Sequence, residues 1–118
     1  MNDLGKLLSD LVAINSINPD LVPGAPGETQ IAAYIARWLE SAGLEVSLED
    51  AVPGRPNVIG IARGSGGGKT LLLNGHVDTV LAAHGWTGDP WTPRRAGDRL
   101  YGLGAYDMKA LSLIHISE

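Results

Sequence analysis

The segment His76-Val77-Asp78 places an imidazole and a carboxylate two residues apart. In extended backbone, residues at this spacing project to the same side of the chain. A neutral imidazole is a good zinc ligand, and it binds better when its other ring nitrogen donates to a carboxylate. We therefore predict that His76 is a metal ligand and that Asp78 orients it. Taken alone, such a pair is more typical of a structural or capping contact.

A second candidate lies in residues 98–109, where a short predicted strand leads into a glycine-rich turn and an acidic residue. Gly102 and Gly104 allow the backbone to approach a neighbour closely, and the metal site is the candidate neighbour. The carboxylate of Asp107 can bind two cations, as in hydrolases whose paired ions lie about 3.5–4 Å apart. The alternative is a solvent-facing aspartate followed by a surface lysine, Lys109.

Two helices are predicted ahead of these residues. The first begins at Leu4, with Asn2 or Asp3 as its N-cap, and ends before Pro19, because a residue that precedes proline disfavours helical geometry. Its apolar residues follow helical spacing: Leu4, Leu7, Leu8, Leu11 and Val12. Residues 18–27 are rich in proline and glycine, which predicts a loop.

The second helix is predicted from Glu28 to the residue before Gly43, which suits a left-handed residue after a helix. Its apolar stripe consists of Ile31, Tyr34, Ile35, Trp38, Leu39 and Ala42.

Three strands are predicted between the second helix and His76. Apolar and polar residues alternate over residues 44–49, which indicates a strand with one solvated face, and residues 58–61 form another strand after a turn at 53–56. Residues 70–73 are a continuous run, Thr-Leu-Leu-Leu, typical of a strand buried on both faces. Two helices followed by three strands predict an α/β sandwich.

Composition and charge exclude several kinds of site and partner. The chain has 118 residues, enough for one small domain, and it has no cysteine, so a metal site must use His, Asp and Glu. The net charge is −4 and basic residues are dispersed, so we expect no nucleic-acid partner. We see no signal peptide and no membrane-spanning apolar stretch, and we expect a cytoplasmic protein with no membrane partner.

Other motifs fail as sites. Residues 64–70 are rich in glycine and end in Lys-Thr, but Arg63 stands where a phosphate-binding loop needs glycine. His84 is expected to be a solvated loop residue, and His115 a surface residue without a role in the site.

Together, three ordered segments resemble a known family of co-catalytic zinc peptidases and deacylases. The segments are residues 72–80, residues 86–91 and residues 100–109, and the resemblance extends over residues 4 to about 110. The family includes acetylornithine deacetylase, succinyl-diaminopimelate desuccinylase, aminoacylase and the glutamate carboxypeptidases. Two residues depart from its pattern: Leu103 stands in place of an arginine and Trp91 in place of a phenylalanine.

The resemblance implies a role for each site residue. His76 matches the histidine that binds one metal ion, and Asp107 matches the carboxylate that bridges two ions. Asp78, the predicted catalytic residue, matches the aspartate that supports the histidine. The resemblance also implies a cis peptide bond between Asp107 and Met108.

The resemblance further implies a fold and an activity. Residues 1–110 are expected to be the N-terminal part of a three-layer αβα metallohydrolase domain, and residues 111–118 a truncated or artefactual tail. The implied activity is zinc-dependent hydrolysis of amide bonds in N-acyl amino acids or short peptides, with two zinc ions, or cobalt or manganese, per intact site. In the family, the general base lies later in the chain, so we expect no activity from these residues alone. A lid domain also lies later in the family's chain and implies that the intact protein is a homodimer. The alternatives are a catalytically dead binding protein that keeps the fold and a hydrolase that uses no zinc.

Overall fold

Three α-helices and two small antiparallel sheets make up residues 4–117, the part of the chain that the computed structural model describes. In chain order they are α1 (Leu4–Ala13), α2 (Thr29–Ser41), β1 (Glu45–Val52), β2 (Arg55–Ile61), β3 (Arg94–Ala96), β4 (Arg99–Tyr101) and α3 (Ala110–Ser117), with a π turn (Ala105–Lys109) directly before α3. This mixture of helix and strand agrees with the predicted α/β class. Within these residues, no helix is long and apolar enough to cross a membrane.

The two predicted helices are confirmed, and they form the core. The apolar stripes of α1 and α2 face each other, and α3 adds Leu113 to the same cluster. The buried members are Leu7, Leu11, Ile31, Ile35, Leu39 and Leu113. Helix α2 is followed, as predicted, by a left-handed Gly43 (φ 88°). The proposed N-cap residues of α1, Asn2 and Asp3, lie outside the described residues.

Strands β1 and β2 form a hairpin, paired from Glu45 opposite Ile61 to Val52 opposite Arg55. Its tight turn contains Gly54 in left-handed conformation (φ 78°). Val46 and Val58 pack against the helical core, while Leu48, on the strand predicted to have one solvated face, is exposed. The second sheet joins β4, which was predicted, to β3, which was not.

The prediction of a buried strand at residues 70–73 is wrong. These residues carry no regular secondary structure, and Leu71 and Leu72 are 80% and 81% exposed. A central strand needs a hydrogen-bonded neighbour on each edge and a packed layer on each face. No strand of residues 4–117 pairs with this segment, so its apolar pattern has nothing to pack against.

A partly buried polar contact joins α1 to α2. The Tyr34 hydroxyl donates to Asp10 (2.8 Å), which also accepts from Lys6 one turn earlier (2.6 Å). The Lys6 hydrogen bond, helped by that of Tyr34 and opposed by burial, lowers the pKa of Asp10. Burial, followed by the hydrogen bond to the Asp10 carboxylate, raises the pKa of Tyr34 to about 12.

We predict that Tyr34→Phe changes how stability depends on alkaline pH. Because the folded-state pKa of Tyr34 is raised from 10.0 to about 12, its contribution is present below pH 10 and is lost between these two values. Below pH 10 the variant should be less stable than the wild type by about 1 kcal/mol, the net value of one hydrogen bond. The difference in unfolding free energy, measured with urea from pH 7 to 12, should shrink as pH rises. Tyr106→Phe, at an almost fully exposed tyrosine, is the control, and a pH-independent difference for Tyr34→Phe contradicts the prediction.

Candidate metal centre

The segment that carries His76 and Asp78 is held against the chain that follows α1. Thr79 N donates to Ser16 O and Asn18 N donates to Thr79 O, each at 2.9 Å, which forms an isolated parallel bridge. The fully buried Ser16 hydroxyl donates to Val77 O (2.7 Å). These contacts, and not a central strand, position the segment.

The glycine-rich turn that precedes Asp107 packs against the same region. Gly104 is left-handed (φ 78°), and a Cβ there would lie 2.6 Å from Thr79 Cγ2. A Cβ on Gly102 would overlap Val12 of α1. The close approach predicted for these glycines is therefore made to Thr79 and Val12 and not to the metal site itself.

Lys109 fastens the π turn to the carbonyl end of α1. Its side chain is buried, with 1% of the residue exposed, and Nζ donates to Leu11 O (2.9 Å) and Ile14 O (3.0 Å). A cation is favourable at the C-terminus of a helix, where carbonyl groups lack helical partners. Burial lowers the pKa of Lys109 to about 8. The alternative of a surface lysine is thus wrong. The two hydrogen bonds of Lys109 tie the turn that carries Asp107 to the end of α1.

His76 lies between two carboxylates. Its Nδ1 is 3.0 Å from Asp78 Oδ1, and its Nε2 is 3.1 Å from Asp107 Oδ1. The side chains of His76, Asp78 and Asp107 are 48%, 28% and 80% exposed, so the cluster opens to solvent through Asp107. The structure therefore brings all three predicted site residues together. The peptide bond between Asp107 and Met108 is cis, as predicted.

The carboxylates control the charge of His76. Burial favours the neutral ring, but the hydrogen bond with Asp107 and the negative charge of Asp78 together outweigh it and raise the pKa of His76 above its ordinary value. Positive charge is therefore stabilised at this point of the structure.

The donor set fits a zinc ion in part. Two ligand atoms bound to one tetrahedral zinc lie about 3.3–3.6 Å apart, close to the spacing of His76 Nε2 and Asp107 Oδ1. Imidazole nitrogen and carboxylate oxygen are both zinc ligands. Residues 4–117 contain no group of three or more His, Asp or Glu side chains arranged to hold a metal ion. The described residues thus offer a pair of ligands and not a complete set.

The other two histidines were predicted to take no part in the site. His84 is exposed in the loop before β3, as predicted. His115 is half-buried on α3, with Nδ1 3.4 Å from the position that a Cβ on Gly75 would take.

One contact of the site was missed from the sequence. Asn18 Nδ2 donates to Asp78 Oδ2 (2.9 Å), and Asn18 is bonded in turn to Arg55 of β2. Asn18 and Arg55 fall within the stretch of residues 4 to about 110 that resembled the family, but nothing in their spacing indicated that they would meet behind Asp78.

Comparison with known proteins bears on the same residues. Residues 72–117 match the model of Peptidase family M20/M25/M40. The resemblance found in the sequence is thereby confirmed over that part of the chain. The match contains His76, Asp78 and Asp107.

Curated relatives in this comparison carry two names that the sequence resemblance included. Acetylornithine deacetylase of Aliivibrio salmonicida is 39% identical over 101 residues, which are 84% of this chain and 26% of that protein. Acetylornithine deacetylase of Vibrio cholerae serotype O1 is 36% identical over 106 residues, 88% of this chain and 27% of that protein. Succinyl-diaminopimelate desuccinylase of Leptothrix cholodnii is 36% identical over 112 residues, with the same two coverages. The chain thus spans about a quarter of the length of the M20 relatives that it matches.

We predict that Lys109→Ala destabilises the fold and loosens the site. The change removes a buried aliphatic stem and two hydrogen bonds, one to Leu11 O in α1 and one to Ile14 O just after it, and should lower the free energy of unfolding by about 2–4 kcal/mol. Urea unfolding measures the loss, with Lys69→Ala, at an exposed loop lysine, as the matched control. Equal stability of the two variants would show that the Lys109 contacts contribute nothing.

Proposed function

We propose that this chain forms part of the metal-binding half of a metal-dependent amide hydrolase of the M20 type. The observation that carries the proposal is the position of His76 between Asp78 and Asp107, with one ring nitrogen facing each carboxylate. The family match over the same residues and the relatives named as deacetylase and desuccinylase support a hydrolase that cleaves amide bonds.

Each of the three side chains has a distinct role in this proposal. With a metal ion bound, Asp78 would accept the Nδ1 proton of His76, which fixes the ring orientation and leaves the Nε2 lone pair for an ion held jointly with Asp107. His76 Nε2 and the Asp107 carboxylate would hold a metal ion, and Asp107, with two carboxylate oxygens, could contribute to holding a second one. Bound zinc supplies a Lewis acid and lowers the pKa of coordinated water. Cobalt and manganese are alternatives to zinc at such a site.

The intact protein is proposed to act on N-acyl amino acids or short peptides. The two names among the relatives, acetylornithine deacetylase and succinyl-diaminopimelate desuccinylase, describe removal of an acyl group from an amino compound. We infer that the general base and further ligands are supplied by a larger three-layer αβα domain. A lid domain, a homodimer and a cytoplasmic location belong to the same proposal.

Metal binding by the chain tests the ligand assignment. Isothermal titration with zinc, and absorption spectra with cobalt, should detect one weak site in the wild type, since a pair of ligands binds less tightly than a full set. His76→Ala and Asp107→Ala should each abolish it, whereas His84→Ala, at an exposed loop histidine, should leave it unchanged. Zinc binding that survives in both ligand variants contradicts the assignment.

Hydrolysis tests the activity. The purified chain with zinc should show no turnover of N-acetylornithine, because none of these three residues is the proposed general base that takes a proton from the attacking water. A chimera in which this chain replaces the matching quarter of the Aliivibrio salmonicida acetylornithine deacetylase should hydrolyse that compound. Asp107→Ala in the chimera should reduce kcat/KM by at least about 1000-fold, as expected when a catalytic metal loses its ligand.

An inactive chimera that folds and holds zinc would favour the alternative of a binding protein that keeps the fold without the chemistry. Circular dichroism and metal analysis of the chimera separate that result from misfolding.

A further inference from the structure

Asn18 contacts Asp78 on the side opposite His76. Its Nδ2 donates to Asp78 Oδ2 (2.9 Å), while His76 Nδ1 contacts Asp78 Oδ1 (3.0 Å). Each oxygen of the Asp78 carboxylate thus has a different partner. A carboxylate held at both oxygens cannot rotate freely, so the direction of the oxygen that faces His76 depends on Asn18.

The orientation of the Asn18 amide follows from its neighbours. Its Oδ1 accepts from Asp20 N (2.9 Å) and from Arg55 Nη2 (3.2 Å). Guanidinium and backbone N–H groups only donate, and an ionised carboxylate only accepts. The amide must therefore turn its oxygen to Arg55 and its nitrogen to Asp78. An aspartate at position 18 would keep the contacts with Asp20 N and Arg55 and lose the hydrogen bond to Asp78.

Arg55 is itself held by two carboxylates. Its Nε and Nη2 donate to the two oxygens of Glu28 (2.5 and 2.6 Å), and its Nη1 donates to Asp20 (3.0 Å). Glu28 is buried directly before α2, and Arg55 begins β2. A paired Arg–carboxylate contact of this kind fixes the geometry of both groups. The hairpin and α2 thus form a rigid support for the Asn18 side chain.

We propose that Asn18 is a positioning residue that holds Asp78 in the orientation that His76 needs for metal binding. The chain of contacts runs from Glu28 through Arg55, Asn18 and Asp78 to His76. Asn18 acts through Asp78 and does not itself contact the metal ligands. This inference rests on the proposed function for its purpose, but its geometry can be tested without a metal.

The ring tautomer of His76 in the metal-free chain is the first readout. At a pH where His76 is neutral, long-range ¹H–¹⁵N NMR should show the proton mainly on Nδ1 in the wild type, because Nδ1 faces both the carboxylate and the backbone carbonyl of Asp78, whereas Nε2 faces the Asp107 carboxylate alone. Asn18→Ala and Asn18→Asp should both move population towards the Nε2-protonated form. Asn57→Ala, at an exposed asparagine of β2, is the matched control and should leave the ratio unchanged.

Asn18→Asp separates positioning from a purely structural role. It preserves the oxygen that accepts from Arg55 and the Asp20 N–H, so thermal unfolding should remain close to that of the wild type. It replaces the donor that faces Asp78 with a repelling carboxylate. A wild-type tautomer ratio in a folded Asn18→Asp variant overturns the inference.

Zinc affinity is the second readout. Loss of a residue that orients a metal-binding histidine costs about 10–100-fold in affinity, and we expect the lower end, about tenfold, for Asn18→Asp because it acts through Asp78. Equal zinc affinity in the variant and the wild type would overturn the inference. If the wild type binds no zinc while Asn18→Asp still shifts the tautomer, the proposed function fails and the positioning role of Asn18 stands.

Discussion

The Lys109 ammonium at the carbonyl end of α1 is the contact on which the arrangement of the site depends. It ties a turn late in the chain to a helix at its beginning, across 95 and 98 positions of sequence. The chain leaving the same helix end holds Thr79 by two backbone hydrogen bonds and Val77 through the Ser16 hydroxyl. One helix terminus therefore helps to set the distance between His76 and Asp107, together with the hydrogen bond from Ser112 Oγ to His76 O (3.1 Å).

The cluster places one half-buried carboxylate, Asp78, and one exposed carboxylate, Asp107, on either side of His76. Two carboxylates that face one imidazole favour a positive charge between them, and their hydrogen bond and negative charge raise the pKa of His76 above its ordinary value despite burial. A metal ion at Nε2 would supply that positive charge. The electrostatic environment of the site therefore favours a cation before any metal is bound. A metal ion and a proton would compete for His76 Nε2.

Much of the site and of the local structure could be predicted from the sequence. The helical stripes around Leu7 and Ile31 and the alternation around Val46 report local periodicity, which does not depend on the rest of the molecule. The site residues were found because three motifs occur in order along the chain. The prediction for residues 70–73 was wrong because it depended on the rest of the molecule. An apolar run shows that burial is favourable, but it does not show which neighbouring element would bury it.

Contacts between distant residues also escaped prediction. Nothing next to Lys109 indicates that its side chain reaches α1, and nothing next to Asn18 indicates that its amide lies between a guanidinium and a carboxylate. Both interactions are defined by tertiary structure alone. Polar residues that connect remote segments follow no periodic pattern, so their contacts cannot be predicted from a single sequence.

The exposed leucines at positions 71 and 72 have a consequence for how the chain behaves at high concentration. An unpaired segment of Thr-Leu-Leu-Leu has free backbone donors and acceptors and an apolar surface, which together favour strand pairing between molecules. Lys69 stands directly before it, and a charge at that place opposes stacking of identical segments. The net charge of −4 opposes close approach of whole chains as well. Association through this segment is thus favoured by its exposed leucines and opposed by the charges, and added salt, which screens charge, shifts the balance towards association.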